Sequence, residues 1–310
     1  MWRSCVRAFL VGLCGCRAAQ EVEAPRVEPW ETVSRFVEVE GNRFHVAQRG
    51  TGPDMLLLHG LGDSGVGWRY VASGLAALGY RVTAWDALGA GQTDKPPDAD
   101  LTLPAHARRL LGLMDRLEIR RAVLVGHSLG GGLALLAAQM APERFEALVL
   151  LQPAAFPEAA QSDRWFWETP LLADLVLGVL PSWYIARYGL RQNFADRSRI
   201  PAELLTLYAH EAKRPHALAA FKRQERQLLF PDMERWVRGY ADIRCPTLIL
   251  WAEDDCLLPQ GDGARLAAAI PGARLVSIPE CGHSPQLDAP ARVLAEVGPF
   301  VRPAPEVGRP

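Results

Sequence analysis

Six short apolar runs, separated by stretches with helical periodicity, constrain this chain more than any other feature. Residues 55–58, 81–85, 122–125, 147–151, 247–251 and 274–278 are continuous and apolar, without the alternation of a half-exposed strand. Such runs mark strands covered on both faces, which occur in parallel sheets. Helical patterns at 68–78, 104–117, 129–140, 263–270 and 291–301 supply the crossovers that parallel strands require. Ahead of them, 35–48 alternates around Gly41-Asn42 and reads as a β-hairpin. The sequence therefore predicts an α/β architecture with a mostly parallel sheet and an N-terminal hairpin.

The alternation stops between Pro153 and Ile243. This stretch has no clear strand, holds Trp165, Trp167, Trp183 and Trp236, and is punctuated by Pro170, Pro181, Pro201, Pro215 and Pro231. Prolines at that spacing break helices, so an inserted helical cap is expected over 153–243, between core segments 31–152 and 244–310. Leu171, Leu172, Leu175, Val176, Val179 and Leu180 share one side of a helix with little polar surface opposite. Together with Trp165, Trp167 and Trp183, Leu175 is expected to wall an apolar substrate pocket, with packing of cap on core as the competing reading.

The 310 residues are 49% hydrophobic and 22% charged, with a net charge of −1. That composition excludes a mostly disordered chain and lacks the basic excess that a phosphate backbone would demand, so nucleic acid is not an expected partner. Residues 1–20 carry Arg3, Arg7 and Arg17, no acid, and an apolar stretch over 8–16. This is the layout of an export signal, too short to span a membrane. Leu13-Cys14-Gly15-Cys16 resembles a bacterial lipoprotein cleavage site, with Cys16 as the lipid-bearing residue. An extracytoplasmic, lipid-anchored protein is one expectation; a disordered start on a cytoplasmic protein is the other. Residues 21–29, rich in Glu and Pro, read as a linker. Cys245, Cys256 and Cys281 remain for the folded part, an odd number that suggests no disulfide framework. No paired cysteine motif with a histidine partner points to zinc.

Gly126-His127-Ser128-Leu129-Gly130 matches G-x-S-x-G directly after a strand run and directly before a helical one. A sharp strand-to-helix turn pushes the serine hydroxyl out over the sheet edge, and the glycines relieve the crowding. A serine is a poor nucleophile until a base takes its proton, so a later histidine is required. His283 follows the last strand run, while His59 and His127 belong to turn motifs and the other histidines fall on the hairpin, a helix or the cap. The base in turn needs an orienting carboxylate. Asp255 ends the loop after 247–251, with Glu253 and Asp254 as local rivals. His59-Gly60-Leu61 fits an oxyanion loop, with the backbone N–H groups of Leu61 and Leu129 converging on the developing charge.

A rival reading competes for the first glycine-rich turn. Gly60-Leu61-Gly62-Asp63-Ser64-Gly65 also spells the dinucleotide fingerprint, and Asp86 ends the next strand run where a ribose-binding acid would lie. That oxidoreductase reading leaves Ser128, Asp255 and His283 unexplained.

From about residue 35 to 301 the chain resembles the α/β-hydrolase superfamily, particularly its capped esterase and meta-cleavage-product hydrolase branch. The resemblance rests on Leu58-His59-Gly60-Leu61-Gly62, Asp86-Ala87-Leu88-Gly89-Ala90-Gly91, Gly126 to Gly130, Trp251 to Asp255 and Cys281-Gly282-His283. Leu88, Thr93 and Ala252 depart from the residues relatives often carry, without removing a catalytic group. The resemblance implies an α/β-hydrolase fold and cofactor-free hydrolysis of a small to medium apolar carboxylic ester through an acyl-enzyme. Choosing Asp255 over its neighbours rests partly on it. Carbon–carbon bond hydrolysis and perhydrolysis on the same triad are the alternatives. A serine at the elbow, where an aspartate would be needed, argues against dehalogenase or epoxide hydrolase chemistry. A non-catalytic binding protein on this fold is the reading from a different class.

Overall fold

The computed structural model describes residues 30–157, 169, 180–228 and 232–301. The leader, Cys16 and the pocket candidates Trp165, Trp167 and Leu175 lie outside these residues. The strands are β1 (Val33–Val39), β2 (Asn42–Arg49), β3 (Asp54–Leu58), β4 (Arg81–Trp85), β5 (Ala122–His127), β6 (Phe145–Leu151), β7 (Thr247–Ala252) and β8 (Arg274–Ile278). They form one eight-stranded sheet in the order β1-β2-β4-β3-β5-β6-β7-β8. The β1–β2 and β2–β4 pairs are antiparallel, and every pair from β4 to β8 is parallel. The expected fold class, mostly parallel with an N-terminal hairpin, is the one observed.

Each central strand divides its side chains between two cores. Leu56 and Leu58 of β3 face one layer with Leu124, Leu148, Leu150 and Ile249; Met55 and Leu57 face the other with Val123, Val125, Val149 and Leu248. Helices α2 (Leu103–Arg116) and α3 (Leu129–Met140) cover the first face through residues such as Leu110, Met114 and Leu135. Helices α1 (Ala72–Ala77) and, later, α10 (Pro290–Val301) cover the second through Leu75, Val293 and Val297. Burying one leucine side chain contributes about 1.5–3 kcal/mol, so two continuous layers fix which face each strand residue takes. All six residues of β5 and of β7 are buried, as continuous apolar runs require.

The run at 274–278 behaves differently. β8 is the last strand of the sheet, and Arg274, Leu275 and Ser277 are exposed while only Ile278 is buried. Its apolar sequence predicts cover on both faces, but position at the edge removes the neighbours that would provide it. The helix expected over 68–78 is also split, into a 3₁₀ turn at Gly65–Trp68 and the short α1.

Between β6 and β7 run α4 (Ser182–Asn193), α5 (Ala202–Ala212), α6 (Ala217–Arg226) and α7 (Met233–Arg238). Pro181 and Pro201 stand immediately before α4 and α5, where the fixed proline φ starts a helix without losing a hydrogen bond. Helix α8 (Asp262–Ala269) and the single turn α9 (Pro285–Asp288) complete the described helices. None of these helices is long and apolar enough to cross a membrane.

Candidate active site

Ser128 occupies the turn between β5 and α3 with φ +51° and ψ −117°, a conformation an L-residue adopts only when its surroundings enforce it. The glycines of the motif show what enforces it. A Cβ on Gly130 would run into the carbonyl of Leu58 in β3, and one on Gly126 into the carbonyl of Gly130. Backbone bonds fix the turn further, from Ser128 N to Leu151 O at 3.0 Å and from Ala154 N to Ser128 O at 2.9 Å.

The structure brings Ser128, His283 and Asp255 together. His283 Nε2 lies 2.9 Å from Ser128 Oγ, and His283 Nδ1 lies 2.8 Å from Asp255 Oδ2. His283 and Asp255 are buried, whereas Glu253 and Asp254 are exposed, so burial separates the three adjacent acids. The acidic loop and the histidine loop are joined through Asp254 N, which donates to Cys281 O at 3.0 Å.

Asp255 is held as an acceptor from several directions. Leu257 N donates to Oδ1 at 2.6 Å and Gln152 Nε2 donates to Oδ2 at 2.6 Å. Burial pushes its carboxyl pKa up, but the His283 imidazole, the Leu257 N–H and Gln152 together outweigh burial and hold it below the usual range. Because the carboxylate can only accept, His283 Nδ1–H donates to it and Nε2 is left to accept the Ser128 proton.

Gln152 has no signature in the sequence. It is fully buried just beyond β6, at φ +45°, and its Oε1 accepts from Ala252 N at 2.7 Å while its Nε2 holds Asp255. Its one hint is position, at the carboxyl end of a parallel strand, where this class of sheet concentrates its chemistry. Asn193 is a second such residue. Ser284 Oγ donates to Asn193 Oδ1 at 2.6 Å and Ser284 N to Asn193 O at 3.1 Å, tying the histidine loop to the end of α4.

His127 is buried beneath this loop, where burial first and the neighbouring His283 second drive its pKa down to about 3. The neutral ring donates from Nε2 to the His283 carbonyl at 2.8 Å. Gly60 approaches from the other side: a Cβ there would stand 3.2 Å from Ser128 Cβ. Gly60 thus lies against the serine. Leu129 is the first residue of α3, so its N–H has no acceptor within the helix.

Helices α5 and α6 reach the same loop. Tyr208 donates to Asp63 Oδ1 at 2.9 Å, and a Cβ on Gly62 would meet the Phe221 ring at 3.0 Å. Trp183 is 37% exposed and packs edge-on against Tyr184, so it is open to solvent rather than enclosed.

The dinucleotide reading fails on Asp86. Its carboxylate is buried and accepts from Gly65 N at 2.7 Å, Gln92 N at 2.8 Å and His45 Nδ1 at 2.9 Å, so it faces inward where a ribose would need it exposed. The glycine-rich turn also leads into a four-residue 3₁₀ turn and not into a long helix N-terminus that could bind a pyrophosphate.

Comparison with known proteins agrees with this geometry. The pattern of the alpha/beta hydrolase fold family matches residues 53–290. A 2-hydroxymuconate semialdehyde hydrolase of Pseudomonas sp. (strain CF600) is 31% identical over 296 residues, covering 91% of this chain and 98% of that protein. A 2-hydroxy-6-oxo-6-phenylhexa-2,4-dienoate hydrolase of Burkholderia cepacia is 31% identical, covering 81% of this chain and 90% of that protein. Among solved structures, a meta-cleavage product hydrolase superposes with a TM-score of 0.73 at 26% identity, covering 88% of this chain and 99% of that one. The chain belongs to the alpha/beta hydrolase fold family.

Proposed function

We propose that this protein is a serine hydrolase in which Ser128 attacks a substrate carbonyl, His283 carries the proton and Asp255 orients the imidazole. The observation that carries the reading is the unbroken chain from Ser128 Oγ through His283 to Asp255, at 2.9 and 2.8 Å. Attack produces a tetrahedral oxyanion, for which the N–H groups of Leu61 and Leu129 are the donors; one such donor is worth about 3 kcal/mol. Water then releases the acyl group from Ser128 with His283 as base, and each step is supplied by water and the chain's own residues. Residues 153–243 act as a cap, supported by the contacts of Tyr208, Phe221 and Asn193 with the loops around the serine.

The bond cleaved is a carbon–carbon bond next to the attacked carbonyl. Support comes from the relatives, whose names specify 2-hydroxymuconate semialdehyde and a 2-hydroxy-6-oxo-dienoate. In such compounds, once the enol proton has moved to the carbon beside the attacked carbonyl, the electron pair of the broken bond passes into the conjugated keto acid, and the resulting dienolate takes up the proton from His283, leaving the acyl group on Ser128. A carboxylic ester, the substrate expected from the sequence, uses the same attack with an alkoxide leaving instead. Assay with 2-hydroxymuconate semialdehyde beside p-nitrophenyl esters of increasing acyl length tests the reading. Turnover of the dienoate at a kcat/KM above that of every ester is expected; turnover of esters alone would return the assignment to an esterase.

A further inference from the structure

A second serine–imidazole–carboxylate chain lies on the other flank of the sheet. Ser34 Oγ of β1 is 2.8 Å from His45 Nε2 of β2, and His45 Nδ1 is 2.9 Å from Asp86 Oδ2 just beyond β4. These spacings match those around Ser128 to within 0.1 Å in each link. His45 and Asp86 are buried at 5% and 2% exposure, while Ser34 is exposed on the edge strand. The imidazole is therefore held from behind and its serine is open to solution.

The tautomer follows as it does at the first site. Burial works to raise the Asp86 pKa, yet the hydrogen bonds from His45 and from the Gln92 N–H help hold the carboxyl below its usual range. An ionised Asp86 accepts from Nδ1–H, so Nε2 is the nitrogen free to take a proton from Ser34. Gln92 Nε2 stands 3.3 Å from that same Nε2, a longer approach than the 2.8 Å of the Ser34 hydroxyl, so the hydroxyl makes the closer of the two contacts there.

The surroundings indicate what the hydroxyl would meet. Phe36 lies directly across from His45 in the β1–β2 register, on the sheet face it shares with Ser34, and is 44% exposed. Its ring centroid is 5.6 Å from the His45 ring, and the Arg43 guanidinium lies 4.3 Å over it. A half-exposed aromatic ring with a cation over one face suits a flat aryl group that departs as an anion.

We propose that Ser34, His45 and Asp86 form a second acyl-accepting site, at which the Ser34 hydroxyl takes the acyl group of a small aryl ester. A bond forms between Ser34 Oγ and the acyl carbon as the bond from that carbon to the aryl oxygen breaks. The Ser34 proton moves to His45 Nε2 and on to the phenolate, which keeps the bonding electron pair, so nothing is oxidised or reduced. The site is independent of the role assigned to Ser128.

The test uses the full chain carrying Ser128→Ala, exposed to p-nitrophenyl acetate, with acetylated peptides quantified by mass spectrometry over time. Ser198 is the internal reference, an exposed serine bonded to the Asp196 carboxylate with no imidazole. General-base assistance predicts acetylation of Ser34 about 100-fold faster than of Ser198. Adding His45→Gln should bring Ser34 down to the Ser198 rate, with retained fluorophosphonate labelling of Ser128 in the single His45→Gln variant reporting that the fold survives. If that variant does not fold, the Ser34-to-Ser198 ratio still decides. Equal rates at the two serines, or acetyl found on His45 in place of Ser34, would overturn the proposal.

Discussion

Gln152 Nε2 donates to Asp255 Oδ2 at 2.6 Å, the same oxygen that receives His283 Nδ1 at 2.8 Å. One carboxylate oxygen thus carries both the imidazole and the residue that anchors it to β7 through Ala252 N. Gln152→Ala strips a donor from a buried charge and leaves Ala252 N unpaired, a loss of about 1–3 kcal/mol. A tenfold or larger fall in kcat with little change in KM is expected. Gln152→Glu sets a second carboxylate beside the first, which raises the Asp255 pKa, so the acid limb of the kcat–pH profile should move to higher pH. A profile that does not move in Gln152→Glu would deny Gln152 this role.

The elbow predicts a steric outcome. Gly130→Ala places a methyl group against the Leu58 carbonyl of the neighbouring strand, which is backbone and cannot swing aside. Moving β3 or the α3 N-terminus separates the oxyanion donors from Ser128, and a shift of even 1 Å is costly to catalysis. Purified Gly130→Ala should lose at least 100-fold in kcat/KM as well as stability in urea. Gly189→Ala, in α4 with open space around the added methyl, is the control and should keep both.

Two buried histidines set the acid side of the stability curve. His127 and His106 each have a pKa lowered to about 3, with burial the largest cause in both and the charge of His283 or Arg109 next. The folded protein binds fewer protons than the unfolded chain between that value and the ordinary 6.5, so stability is complete above pH 6.5 and falls as pH drops below it. The slope is up to ~1.4 kcal/mol per pH unit for each histidine. Asp63 acts in the opposite sense: burial lifts its pKa from 3.8 to about 6, so its contribution is present at low pH and declines as pH rises through that window. Urea unfolding at pH 7 and pH 5 should show a net loss of stability on acidification, reduced in His106→Gln. Asp63→Asn should steepen the acid loss relative to the parent. Equal stability at the two pH values would contradict the buried neutral histidines.

The leader makes a separate prediction. Arginines flanking an apolar stretch over 8–16 predict a mature protein that begins after this segment outside the cytoplasm, anchored through a lipid on Cys16. Mass spectrometry of the N-terminal peptide from the native host, with fractionation, should find diacylglyceryl-modified Cys16 in the membrane fraction. An intact N-terminus in the cytosol would end this proposal.

What the sequence made readable divides along physical lines. Ser128 and His283 were visible because a sharp turn demands glycines at fixed spacing and because the fold orders its residues along the chain. Asp255 was one of three adjacent acids, and only burial, a property of the packed loop, distinguishes it from Glu253 and Asp254. Gln152 left no trace, since a lone amide between apolar runs looks the same whether it faces water or a buried carboxylate, and Asn193 is one of two adjacent amides at a polar helix end. The exposed edge of β8 was hidden for a related reason: Arg274–Ile278 has the composition of a central strand, and its place in the order is decided by where the crossover helices pack. Ser34–His45–Asp86 spans three strands and requires the hairpin register before it can be seen at all.

The central claim is that Ser128, activated by His283, forms the covalent bond to substrate. Brief exposure of the protein to a fluorophosphonate probe, followed by peptide mapping, tests it most directly. The account predicts that the fastest labelling falls on Ser128, and that this peptide's labelling is lost in Ser128→Ala, reduced at least 100-fold by His283→Ala and less by Asp255→Asn, with dienoate cleavage lost in parallel. Undiminished cleavage by Ser128→Ala, or probe attached elsewhere at the same rate, would contradict it.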